Sequence, residues 1–256
     1  SNFEMLLDVA NQGAYDIDQA FFSISSNPEY LDITTTEGQR VLTLPGRSVE
    51  NPRGEKSLLS LKAHANRVSK TSAVSTPVSL TFCYAYQTHA TPIVCIDTDP
   101  ANQKTQMKAC SLDSSSSTSL GGGQGGPMTV TRVETSMLSH DDPDRLIPDV
   151  KVFIANQGNG DIIDTSQVEQ YCGGSPSKNA FNIVNVKVKL QEDFLLCNKE
   201  ALTLKTQDSS ENYIECQYPQ GINKKIPSYL APLSVTIDYG YTFTVTKMIS
   251  IQPKSR

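Results

Sequence analysis

Six cysteines, three histidines and two short carboxylate clusters are the groups in this 256-residue chain whose types and spacing could do chemistry. Cys83, Cys95 and Cys110 lie in the first half, and Cys172, Cys197 and Cys216 in the second. No CxxC pair occurs, and none of His64, His89 and His140 has a cysteine at zinc-ligand spacing, so structural zinc is not expected. Disulfides are the better use of these thiols. The local spacings suggest Cys197–Cys216 first and Cys95–Cys110 next, which leaves Cys83 and Cys172 over as a bond between the halves. Such bonds place the chain in an oxidising compartment or a thermophile.

Asp97-Thr-Asp-Pro100 and Asp141-Asp-Pro-Asp144 cluster carboxylates at expected loop ends, where calcium could collect the six to eight oxygens it wants. Asp97 and Asp99 are therefore metal candidates. Neither cluster has the twelve-residue loop with a terminal Glu, and Asp with Pro also begins turns without any metal. No serine sits in a Gly-x-Ser-x-Gly elbow, and no cysteine carries a protease signature. Gly121 to Gly126 lack the Lys-Ser/Thr that a phosphate loop needs. Neither catalysis nor a cofactor is expected.

The elements that must position these residues read as strands. Val184, Val186, Val188 and Leu190 alternate with Asn185, Lys187 and Lys189, the two-residue period of a half-buried strand. In the second half the pattern predicts strands over 128–135, 149–155, 182–190, 201–205, 212–217, 232–239 and 243–251. Turn formers at Gly158 to Gly160, Gly173-Gly174, Asp208 to Ser210 and Pro219 to Gly221 separate them. Leu58 to Lys70 is the nearest helical candidate, but Leu59, Leu61 and Ala63 alternate and favour a strand. His89 falls at an expected hairpin tip between Tyr86 and Pro92. The Tyr84/Tyr86 and Tyr239/Tyr241 pairs are expected to pack as aromatic core, since the chain has no tryptophan.

Two stretches repeat. Val9-Ala-Asn-Gln-Gly-Ala-Tyr-Asp-Ile-Asp18 matches Ile154-Ala-Asn-Gln-Gly-Asn-Gly-Asp-Ile-Ile163, and Pro77 to Tyr86 matches Pro232 to Tyr241, with likeness continuing to Ile96 and Ile251. The expectation is an all-β chain of two tandem immunoglobulin-like β-sandwich domains related by internal duplication. Residues 1–112 form the first, 113–126 a Ser/Gly-rich linker, and 127–256 the second. Net charge is −5 with scattered Lys and Arg, which argues against nucleic acid as a partner. No apolar run reaches the length of a membrane span, and no Asn-x-Ser/Thr acceptor is present.

The Ala-Asn-Gln-Gly turn and the Pro-Leu-Ser-Val-Thr-Ile-Asp-Tyr-Gly-Tyr strand resemble those of CARDB-type immunoglobulin-like domains. Asn156 to Gly160, Gly123 to Pro127 and Cys95 to Pro100 look like turns of tandem domains in archaeal cell-surface proteins. The resemblance implies an exported structural or adhesive role and carries over no catalytic residue.

One departure concerns the second half, where Pro127 to Leu146, including a strand at Met128 to Glu134, precedes the segment that matches Ser1. The first half has no equivalent. A sandwich short of a strand leaves a row of unpaired backbone groups. A neighbouring subunit, an upstream segment or Thr105 to Leu112 could repair it. The expectation from all this is a non-catalytic extracellular subunit of a surface filament or array, with copies of itself as partners and no membrane insertion. An adhesin or ligand-binding module, or a viral structural protein, are the alternatives.

Overall fold

The computed structural model describes residues 1–34, 41–68, 72–105, 107–113, 116–121, 123–174, 180–205 and 211–253. The expected turn at Asp208 to Ser210 lies outside them, as do Ser114, Ser115 and Gly122 of the expected linker. In chain order the strands are β1 (Asn2–Ala10), β2 (Ile17–Ser26), β3 (Leu31–Thr34), β4 (Val41–Leu44), β5 (Lys56–Ala65), β6 (Val74–Ala90), β7 (Ile93–Ile96), β8 (Ser117–Ser119), β9 (Met128–Ser139), β10 (Arg145–Asn156) and β11 (Asp161–Ile163). A 3-10 turn and the short helix α1 (Val168–Cys172) follow. The remainder is β12 (Ile183–Leu190), β13 (Asp193–Phe194), β14 (Leu196–Cys197), β15 (Ala201–Thr203), β16 (Tyr213–Gln217), β17 (Ile222–Asn223) and β18 (Tyr229–Ile251). The protein is all-β.

The chain folds as two compact units, and they are not its consecutive halves. One holds residues 1–86, 159–181 and 239–256, and the other holds 87–158 and 182–238. This differs from the division at 1–112 and 127–256. The reason is visible in two strands expected to break. β6 runs through His89 without turning, and β18 runs from Tyr229 to Ile251 where two strands were expected. Gln87-Thr-His-Ala90 offers no Gly, Asn or Pro to reverse the chain, so the strand continues. Gly240 serves packing instead of turning: a Cβ there would lie 2.7 Å from Ile163 Cγ1 and 2.8 Å from Val168 Cγ2. Each unit therefore takes part of a long strand that begins in the other.

In the first unit β1, β5 and β3 form an antiparallel sheet, and β18, β6, β2 and β4 lie in that order in a second sheet, with β11 on β18. Side-chain hydroxyl pairs mark the β6–β18 register, Ser79 with Thr246 at 2.9 Å and Thr81 with Thr244 at 2.8 Å. Strand alternation sends Leu61 of β5 inward to meet Phe22 of β2 and Phe82 of β6, all buried, and Met5, Leu7 and Val9 pack around them. A second cluster joins Leu31, Ala63 and Val78. This is a two-layer β-sandwich.

In the second unit β14, β16, β10, β9 and β8 are neighbours in one sheet, with β17 on β10. The other sheet carries β13, β12 and the first part of β18, with β15 on β12 and β7 on β18. Alternate residues of β12 (Val184, Val186, Val188), β18 (Leu233, Val235, Ile237), β10 (Val150, Val152, Ile154) and β16 (Ile214, Cys216) are buried. Residues 117–119 do not behave as free linker. They pair with β9 as β8, and Gln124 closes the approach by donating to the Val130 carbonyl at 2.7 Å while accepting from Val130 N–H at 2.8 Å.

Candidate functional site

All six cysteines are bonded: Cys83–Cys172, Cys95–Cys110 and Cys197–Cys216. The last two are the pairs suggested by local spacing, and the two left over join each other. Cys83 and Cys172 lie within one unit, however, so theirs is not an inter-domain bond. It ties α1 to β6 in a buried cluster with Ile163 and Val168, against which Phe21 and Tyr171 pack. The thiol chemistry of this chain is spent on structure.

The Asp97–Asp99 turn, the metal candidate, is occupied by the chain's own donors. Asp97 is fully buried and accepts from Asp99 N–H at 2.9 Å, Leu112 N–H at 3.1 Å and Ser228 Oγ at 2.9 Å. Lys108 Nζ lies 3.0 Å from its carboxylate and also donates to the Asp99 carbonyl. Burial alone would raise the Asp97 carboxyl, but these donors outweigh it and hold it below the ordinary carboxylate range. Asp99 is lowered by accepting from the backbone N–H groups of Lys104 and Gln103. A buried lysine-paired carboxylate with its lone pairs engaged is a clasp on the Cys95–Cys110 loop, not an open set of oxygen ligands. The clue available in sequence was a lysine inside that disulfide loop. Ser228, more than a hundred residues away, left none.

Asp141 to Asp144 form a turn, with Asp142 accepting from Asp144 N–H at 2.9 Å. His140 Nδ1 accepts from Asp142 N–H at 2.8 Å, His89 pairs with Thr236 Oγ1 at 3.2 Å, and His64 pairs with Asn2. No group of three or more His, Cys, Asp or Glu is placed to hold a metal ion among the described residues.

The repeated stretches build repeated contacts. Asn11 Oδ1 accepts from Gly13 N–H at 2.9 Å, and Asn156 Oδ1 accepts from Gly158 N–H at 3.0 Å. Two residues further on, Tyr86 Oη accepts from Tyr15 N–H at 3.1 Å and Tyr241 Oη from Gly160 N–H at 2.7 Å. Burial raises the pKa of both phenols, so each remains a neutral hydroxyl. Tyr86 and Tyr239 have ring centroids 6.0 Å apart, and Tyr84 and Tyr241 5.7 Å, so the four tyrosines pack as an aromatic body.

The feature with most functional content is an edge. Ser1 and Ala65 exchange both backbone hydrogen bonds, at 2.6 and 2.8 Å, and Asn11 N–H donates to the Glu55 carbonyl at 3.0 Å. In an antiparallel ladder bonded pairs recur at every second residue. Phe3, Met5, Leu7 and Val9 therefore turn their backbone groups toward β5, and Asn2, Glu4, Leu6, Asp8 and Ala10 turn theirs away. Among the described residues no strand pairs with that second side.

The matching strand β10 is covered on both sides. Ile154 N–H donates to the Asn212 carbonyl at 2.9 Å on the β16 side, and β9 pairs antiparallel with the opposite side over Leu146 to Asn156. The consequence reaches the core. Val150, Val152 and Ile154 are each 0 % exposed, whereas Met5, Leu7 and Val9 are only partly buried. Thr105 to Leu112 do not fill the gap: they belong to the second unit, where Leu112 caps Asp97 (Gln106 lies outside the described residues).

The second unit also holds an open groove of about 490 Å³. Asp113, Ser117, Glu134, Ser136, Asp149 and Lys151 are among its lining residues. Asp149 is buried there, accepting from Ser136 Oγ and Gln217 Nε2 at 3.1 Å each. No stretch of the sequence marks this groove, because strand pairing alone gathers its residues.

No helix among the described residues is long and apolar enough to cross a membrane. The sequence matches no protein-family model, and comparison with curated proteins gives no significant match.

Proposed function

We propose that this chain is a non-catalytic structural subunit of the extracellular surface, assembling with copies of itself into a filament or array through its β-sandwiches. The observation that carries the reading is the outer side of β1, a nine-residue strand with which no strand pairs there among the described residues, while its matching strand β10 is covered by β9. An exposed strand edge is a template for pairing, and natural proteins that are not built to associate shield it. Three disulfides without a free thiol support an oxidising, extracellular setting. The repeated Asn turns and tyrosine caps support descent of the two matched regions from one duplicated module. Electron microscopy of the native material tests the proposal, with a filament or lattice as the expected result. A dispersed monomer at high concentration, confirmed by light scattering, would overturn it.

The polar groove of the second unit favours one alternative, a binding module for a polar ligand. Saturable binding on a glycan array, lost in a Lys151→Ala variant, is the result that would favour it.

A further inference from the structure

We infer that Asn159 is a site of spontaneous deamidation, converting to aspartate and isoaspartate through a succinimide, and that the Tyr241 hydroxyl holds this reaction back while the chain is folded.

Of the asparagines in the sequence only Asn159 precedes a glycine. The backbone nitrogen after an asparagine can attack the side-chain amide carbon, and glycine obstructs that attack least, having no side chain and the freest backbone. Asn159 is exposed, so water reaches it and ammonia can leave. Gly160 is fixed by packing, because a Cβ there would lie 2.2 Å from the Thr242 carbonyl oxygen and 2.8 Å from the Tyr241 ring. The close approach of β18 thus demands the glycine, and the asparagine makes the pair reactive. The matching residues in the first half are Ala14 and Tyr15, which cannot undergo the reaction.

The chemistry needs only the chain and water. Gly160 N bonds to Asn159 Cγ, the Cγ–Nδ2 bond breaks, and ammonia leaves with the proton given up by the Gly160 N–H. Water then opens the succinimide. Opening at Cγ gives aspartate, and opening at the backbone carbonyl carbon gives isoaspartate, whose main chain runs through the former side chain and is one methylene longer.

The folded geometry opposes the first bond. Tyr241 Oη accepts from Gly160 N–H at 2.7 Å and also from Asn159 N–H. The nitrogen that must attack therefore has its proton aimed at the phenol oxygen, and this hydrogen bond has to be given up first. The next residue, Asp161, pairs with Thr242 and fixes the backbone on the far side. Burial raises the pKa of the Tyr241 phenol, so it remains a hydroxyl and does not take the proton as a phenolate would. Unfolding removes these restraints together. Either product sets a new carboxylate two residues from Asp161, and the longer isoaspartyl backbone separates the two N–H groups that share Tyr241 Oη. Conversion therefore accumulates with time spent unfolded and loosens the entry to β11.

The test incubates the full chain in mildly alkaline buffer and follows Asn159 by mass spectrometry after digestion, with electron-transfer fragmentation separating isoaspartate from aspartate. The folded parent should convert slowly and the parent in urea much faster. Tyr241→Phe should convert at least about threefold faster than the folded parent, the effect of one lost hydrogen bond. Tyr86→Phe removes the matched hydroxyl from the same unit and should leave the rate unchanged. Asn159→Gln should abolish the conversion.

Equal rates in the folded and unfolded parent would overturn the inference. So would an acceleration by Tyr86→Phe as large as that by Tyr241→Phe, because general loss of stability would then explain both. Should Tyr241→Phe fail to fold, hydrogen exchange of the parent decides: protection of the Gly160 amide upholds the restraint, and exchange as fast as in an unstructured peptide of the same sequence refutes it.

Discussion

β1 and β10 begin from matched sequence, each has apolar residues at alternate positions, and each lies against an antiparallel strand on one side, β5 or β16. β10 also has β9 on its other side, and β1 has nothing there among the described residues. The difference shows how much a neighbouring strand adds beyond its own hydrogen bonds. Val150, Val152 and Ile154 are sealed from water, and full burial of such side chains contributes about 1.5–3 kcal/mol each. Met5, Leu7 and Val9 face the same kind of core but gain only part of that, because no strand among the described residues lies on the other side of β1.

The sharpest way to break this comparison is to place a charge in each edge. Val133→Asp puts a carboxylate into the sealed side of β9, where the native side chain is 1 % exposed, and should cost about 3–5 kcal/mol in urea unfolding. Leu6→Asp on the bare strand should stay within about 0.5 kcal/mol of the parent, since Leu6 is 63 % exposed. Equal costs would mean that the face of β1 carrying Leu6 is buried.

Truncations give a smaller contrast. Val152→Ala should cost about 2–3 kcal/mol and Leu7→Ala about 1 kcal/mol, although leucine loses the larger side chain. Urea unfolding of the two variants would measure both.

The matched tyrosines sharpen the likeness instead of the difference. Tyr86→Phe and Tyr241→Phe each remove the hydroxyl that accepts from a backbone N–H, of Tyr15 or Gly160, and each should cost about 1 kcal/mol. Markedly unequal costs would show that the two caps are not equivalent. Their geometry already differs in one respect, since a Cβ at Gly160 would lie 2.8 Å from the Tyr241 ring while the matching position is Tyr15.

The smallest effect at neutral pH is an acid one confined to the second unit, because the position matching Asp97 is Gln252. Asp97 has a lowered pKa in the fold, so its contribution is complete above the ordinary carboxylate value of 3.8 and is lost as pH falls through the lowered one. Acid should therefore loosen the loop between Cys95 and Cys110 before the rest. A Lys108→Met chain, which lacks the ammonium partner, should reach that point at a higher pH. Hydrogen exchange of Gln103 and Leu112 across an acid series would measure both.

Much of this was legible in residues taken singly or in short runs. The period of two in Val184 to Leu190, the alternation of Leu59, Leu61 and Ala63, and the spacings Cys95–Cys110 and Cys197–Cys216 are local facts, and local facts settle strand identity, the inward face and short loop closures. The repeat likewise exposed the matched Asn turns. What the sequence could not determine was partnership. Backbone hydrogen bonds are the same for every residue, so alternation says which face of a strand is buried but not which strand lies beside it. Only the tertiary structure decided that β6 and β18 run on through the expected turns, that each divides between two units, that Ser228 closes over Asp97, and that Gly240 makes room for Ile163 and Val168. Those outcomes depend on contacts between residues far apart in the chain, where the free energy comes from joint burial and not from any segment's own preference.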